Sequence, residues 1–174
     1  MSTRKSMKLP IIITFVFIGI IIYLFTNIKQ SVIVCEKKTT HTADIQLQER
    51  MEANTDGKKI TGLLITKKVL LPTNYNKMTQ TLKGIENALE YNLGYLGEKV
   101  EYTTLQNGVI ATINIKNNEL VLLDNISFED NAGELRIQIN PNTKSSDVIA
   151  LKVGDTITEG ELMTRMKNRG YSCQ

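Results

Sequence analysis

Twenty uncharged residues near the start limit what this chain can be. LPIIITFVFIGIIIYLFTNI, residues 9–28, holds no acid, base or histidine. An apolar run of roughly 20 residues is long enough to cross a ~30 Å hydrocarbon core as a helix. Arg4, Lys5 and Lys8 precede it without any acid. Flanking bases on one side predict that residues 1–8 face the cytoplasm and that everything after Ile28 lies outside. The expected organisation is a basic cytoplasmic segment 1–8, a transmembrane signal anchor 9–28, a juxtamembrane stalk and first strand 29–42, and an extracytoplasmic domain 43–174. The lipid bilayer is then a partner through residues 9–28.

Charge narrows the partners further. The chain has 21 Lys plus Arg against 18 Asp plus Glu, a net +3. The three bases before the span account for that excess, so the outer part is balanced and nucleic acid is not an expected partner. No A-x-A-like site follows the span, as cleavage would require. Val34 is a poor residue to precede a lipidated Cys35. The segment therefore reads as an uncleaved anchor, with cleavage or lipidation of Cys35 as the alternatives.

Cys35 and Cys173 are the two cysteines. In an oxidising compartment they allow one pairing, which would close nearly the whole outer domain and lay Tyr171-Ser172-Cys173 against the first strand. Free thiols, a redox pair or metal ligands are the alternatives. The wide separation is unlike a C-x-x-C motif, and His41 is the sole histidine for a metal site.

Hydrophobic periodicity gives an alternating order of hairpins and helices. Residues 43–53 place Ala43, Ile45, Leu47, Glu49, Met51 and Ala53 on one side, a period of two that predicts a strand. Asn54-Thr55-Asp56-Gly57 turns the chain. Residues 59–71 return, with Leu63, Ile65, Val69 and Leu71 on one face and Thr61 and Lys67 sharing it. Pro72 and Thr73 are expected to stop the strand and open a helix. Met78, Leu82, Ile85, Leu89 and Leu96 recur at spacings of four, three, four and seven, one narrow stripe with Gly94 and Gly97 as exits. A second hairpin turns at Asn107-Gly108 between residues 100–105 and 109–116, with Val109, Ala111, Ile113 and Ile115 on one face. Asn117-Asn118 turns into Leu120–Leu123, and Leu135, Ile137 and Ile139 form another alternating strand stopped by Pro141.

The last helix is punctuated at both ends. Thr158 and Glu161 form a capping box, Ile157 and Leu162 a hydrophobic staple, and Gly170 a terminating glycine. With the hairpin, helix, hairpin order before it, ITEGELMTRMKNRGY, residues 157–171, resembles the YehR-like group of extracytoplasmic bacterial proteins. The resemblance implies a tethered outer domain and brings no activity. Many of that group look like lipoproteins, and this chain departs from them in the residues before Cys35.

Chemistry-bearing motifs are scarce. The sequence contains no phosphate-binding glycine loop, nucleophile elbow or H-E-x-x-H pair. His41 in its Thr-rich segment reads as solvated. Asp124, Glu129 and Asp130, with Asn125 and Asn131, could offer oxygen ligands to Ca²⁺, but a solvated acidic loop accounts for them equally. Asn125-Ile126-Ser127 fits the glycosylation acceptor pattern. Lys37 and Lys38 could touch anionic headgroups. No catalytic residue, cofactor or metal is expected.

The expected fold is α+β: an antiparallel sheet of about five or six strands on a long helix, with the C-terminal helix stapled on by Cys35–Cys173. The expected function is that of a membrane-anchored, non-catalytic interaction or accessory domain in a bacterial cell envelope, its partner unknown. The alternative is a small-ligand or lipid-binding module using a groove at Leu82, Ile85 and Leu89.

Overall fold

A computed structural model describes residues 30–131, 134–140 and 148–174. The anchor expected at 9–28, the basic segment before it, Lys29 and Pro141 lie outside the described residues. Among those described, no helix is long and apolar enough to cross a membrane. The folded unit runs from Ser31 to Gln174.

Alternating side chains build its main sheet. Strands β1 (Ser31–Thr40), β2 (Gln46–Thr55) and β3 (Ile60–Leu70) form an antiparallel meander. After the helix α1 (Met78–Gly94), the hairpin β4 (Val100–Leu105) and β5 (Gly108–Ile115) adds to β3 through β5. The terminal β10 (Ser172–Cys173) pairs with β1, giving the order β10-β1-β2-β3-β5-β4. One face is apolar: Ile33, Cys35, Leu47, Met51, Ala53, Leu63, Ile65, Val69, Val109, Ala111, Ile113 and Ile115 are all buried. The other presents Glu36, Lys38, Gln48, Arg50, Thr66 and Lys68 along a cleft of about 610 Å³. Gly108 sits where the hairpin approaches β3; a Cβ there would lie 2.5 Å from the Val69 carbonyl oxygen.

Smaller elements close the apolar face. Helix α1 packs on β4, β5 and β8 (Glu134–Ile139), and helix α2 (Glu159–Lys167) packs on β1 and β10. Strand β6 (Val121–Leu123) pairs with β9 (Ile149–Leu151), and β7 (Ile126–Asn131) forms a hairpin with β8. Leu82, Ile85 and Leu89 lie in the continuous core with these layers.

Helix α2 is built as its punctuation predicts. The Thr158 side chain accepts from the Glu161 N–H while the Glu161 carboxylate accepts from the Thr158 N–H. At the other end Gly170 takes φ 81°, its N–H donates to the Lys167 carbonyl, and the Tyr171 N–H donates to the Met166 carbonyl. That pair of bonds is a Schellman motif, and it delivers Tyr171 into the core.

Four local expectations are corrected. Thr61 is exposed, because the register slips between Asn54 and Thr55 and the extra residue turns Thr61 outward while Ile60 goes in. The strand expected from Ala43 begins at Gln46; Thr42–Asp44 is a 3₁₀ turn with Ala43 and Asp44 at positive φ. The helix expected at Pro72 begins at Met78, since Pro72 accepts a turn bond from Tyr75 and Lys77 at φ 52° breaks helical continuity. The acidic run expected as a loop is strand β7, which holds Glu129 opposite Arg136 and Asp130 opposite Leu135. No group of three or more potential metal ligands occurs among the described residues.

Cys35 and Cys173 form a disulfide across a sequence separation of 138 residues. They are direct partners in the β1–β10 register, so the bond fastens the last strand to the first. Closing a loop of that length restricts the unfolded chain by up to about 5 kcal/mol. Reduction, or replacement of both cysteines by alanine, is expected to lower the stability of the domain by up to that amount. Urea titration with and without reductant measures the difference, and coincident curves would contradict the expectation.

Candidate functional site

The apolar face of the sheet carries a row of charges. Lys37 of β1 is register partner to Glu49 of β2, and Glu49 is partner to Lys67 of β3. Period two puts all three on the inner face. Lys67 is 0 % exposed and Glu49 2 %. Charges this deep persist only when paired and hydrogen-bonded.

The covering layer supplies the remaining partners. Lys67 Nζ lies 2.9 Å from Glu49 Oε1 and donates to Asn125 Oδ1 at 2.8 Å. Glu49 Oε2 accepts from the Tyr171 hydroxyl at 2.9 Å and from the Asp124 backbone N–H at 3.0 Å. Lys37 Nζ reaches both Asp124 carboxylate oxygens at 2.8 Å and lies 5.5 Å from the centre of the Tyr171 ring. Asp124 takes φ 57°, a left-handed conformation that aspartate tolerates. From there its N–H serves Glu49 and its carboxylate serves Lys37. Three separate parts of the chain thus meet on one carboxylate.

Protonation follows these contacts. Burial opposes ionisation of Glu49, but the Lys67 charge and the bonds from Lys67, Tyr171 and Asp124 together hold its carboxyl below the ordinary range. Burial pushes the Asp124 carboxyl up and Glu49 adds to this, while Lys37 and Lys67 act against it. Burial, with the charges of Glu49 and Asp124, drives the Tyr171 hydroxyl far above its usual range, so it stays protonated and donates to Glu49.

Beside this row opens a cleft of about 410 Å³ whose lining includes Lys37, Thr39, His41, Asp124, Asn168 and Arg169. His41 is not freely solvated as its sequence setting suggests. It is half-buried, its ring meets Phe128 edge-on at 5.4 Å, and its Nε2 has no hydrogen-bond partner among the described residues. Burial lowers its pKa, and Glu49 opposes the shift. The cleft can therefore offer a neutral imidazole, a tied ammonium–carboxylate pair and a guanidinium to a polar ligand.

Several sequence expectations meet this geometry. Cys35 and Cys173 come together as a disulfide. Lys37 turns toward the interior, whereas Lys38 faces out, as period two requires. Asn125 is buried and bonded to Lys67, so it is closed to glycosylation in the folded domain. Asp124 is bonded to Lys37 through its carboxylate and to Glu49 through its N–H. The Glu49–Lys67 pair went unrecognised in the sequence, although its signal was there: two opposite charges interrupting the apolar faces of adjacent strands of one hairpin.

No family model matches the chain, and neither the curated proteins nor the solved structures compared with it give a match.

Two predictions follow from the buried row. Lys67→Met leaves Glu49 buried without its counter-charge and is expected to cost about 3–5 kcal/mol, whereas Glu49→Leu/Lys67→Met is expected to recover most of that loss. Denaturant titration of the two variants decides; a double variant as unstable as the single would refute the pairing. A lowered carboxyl pKa adds stability above the ordinary value of 4.5, and that stability drains as pH falls through the folded value. Asp124, shifted upward, acts with the opposite sign. Removing the pair with Glu49→Leu/Lys67→Met is expected to flatten the loss of stability below about pH 4.5, read from melting temperature against pH.

Proposed function

We propose that this chain is a membrane-anchored, extracytoplasmic accessory domain of a bacterial cell envelope that acts by recognition rather than catalysis. The observation that carries this reading is the Cys35–Cys173 disulfide at the start of the folded unit. Disulfides persist in oxidising compartments and are rare where thiols are kept reduced. This one lies shortly after the uncharged segment 9–28, whose basic flank favours an outward-facing C-terminal part. Bond and segment support the same side of the membrane.

The non-catalytic part of the proposal is supported by the acid–base cluster the fold assembles. Glu49 and Lys67 neutralise each other, and the second Glu49 oxygen is taken by Tyr171 and Asp124. A substrate would have to displace structural bonds to use either group. The likeness of Ile157–Tyr171 to the YehR-like group supports an outer, tethered domain as well.

Thiol labelling in intact cells tests the placement. A membrane-impermeant maleimide is expected to label the protein only after reduction. Labelling that requires lysis but no reductant would put the domain inside and overturn the proposal.

A further inference from the structure

A third cleft lies where the C-terminal end of α1 meets β6 and β8, and it touches the charged row through Asn125. It encloses about 360 Å³, within the size range of small-ligand sites. Its lining includes Leu120, Leu122 and Ile139, the buried Asn125, and Tyr91 and Tyr95. Tyr91 is 77 % exposed and Tyr95 50 %. One turn apart, they present amphipathic rings of the kind enriched at contact surfaces.

The inner wall includes Asn92. It occupies a position of the apolar stripe of α1, between Leu89 and Leu96, and is 3 % exposed. Neither its Nδ2 nor its Oδ1 has a hydrogen-bond partner among the described residues, and both atoms are sealed from solvent. Asparagine is a poor helix former, and a buried amide without partners destabilises the fold. Leucine at this position would serve both helix and core better. Native structures contain few such groups, and each calls for a reason beyond packing.

We infer that this cleft binds a hydrophobic residue of an extended peptide, whose backbone amide pairs with Asn92. An asparagine side chain carries one carbonyl and one NH₂, the complement of a peptide group. The ligand C=O would accept from Nδ2 while its N–H donates to Oδ1. Its apolar side chain would lie against Leu120, Leu122 and Ile139, beside the two tyrosines. Entry needs side-chain motion at the rim, where Tyr95 is held by a hydrogen bond from its hydroxyl to the Leu120 carbonyl. The walls favour a peptide over the two other ligands of similar reach. An acetamido sugar has the amide but brings several hydroxyls, for which Leu and Ile have no partner and Asn125, whose Oδ1 already accepts from Lys67, has little to offer. An alkyl chain fits the walls but leaves Asn92 unpaired. The inference rests on the recognition reading above, yet its test does not depend on which side of the membrane the domain occupies.

The test is a methyl-detected NMR titration of the full chain in detergent micelles with N-acetyl-leucine-N′-methylamide. Saturable shifts at Leu120, Leu122 and Ile139 are expected. Asn92→Leu should weaken binding at least about tenfold, the loss of roughly one well-made pair of hydrogen bonds, while raising the melting temperature. Tyr95→Phe, which removes the bond at the rim and not the amide pair, should retain binding. Unchanged affinity in Asn92→Leu, or a lowered melting temperature, would overturn the inference, since the amide would then have no ligand or an internal structural role. Tighter saturation by N-acetylglucosamine or by decanoate would overturn it in favour of a sugar or a lipid. If the peptide binds and maleimide labelling places the domain inside, the site stands and the placement falls.

Discussion

The Glu49–Lys67 pair is the constraint to which the rest of the domain answers. Two ions in the middle of a sheet face are removed from water, and each needs every available bond in compensation. Lys67 takes Glu49 and Asn125; Glu49 takes Lys67, Tyr171 and the Asp124 N–H. These partners come from the segment joining β6 to β7 and from the chain just before β10. A purely apolar face would accept any well-shaped cover. A charged row accepts one that brings its donors and acceptors to the right places, so the cover is fixed in register as well as buried.

Nearby features serve the same junction. The Schellman bonds at Gly170 turn the chain sharply after α2 and point Tyr171 at Glu49. Two residues later Cys173 is bonded to Cys35 on the neighbouring strand. Hydrogen bond, strand pairing and disulfide therefore lock one short terminal segment in three ways. Asp124 repeats the economy from the other side, one residue in a left-handed conformation serving both Lys37 and Glu49.

Polar groups in this core divide into two kinds. Glu49, Lys67, Asn125 and Tyr171 satisfy one another and act as a structural lock. Asn92 lies in the same interior with its amide unpaired among the described residues. The first kind specifies a fold; the second weakens it.

The strands of the main sheet, both hairpin turns, the capped helix and the cysteine pairing were legible in the residues because each depends on local chemistry: period-two alternation, Asp-Gly and Asn-Gly turns, the Thr158–Glu161 box, and two cysteines with one partner each. Where one added residue shifts a phase, as at Thr61, or where polar residues alternate weakly, as in β7, the local signal failed. The stripe of α1 was legible too, and its step of seven between Leu89 and Leu96 passed over Asn92 in silence. What the sequence by itself determined is the strands of the main sheet, the two helices and which face of each is apolar, since periodicity and capping act within a few residues. Tertiary structure alone decided that Glu49, Lys67, Asp124, Asn125 and Tyr171 form one network, and that Asn92 lines a cleft. Those outcomes turn on which distant segments are brought together, and on whether a buried polar atom finds a partner there.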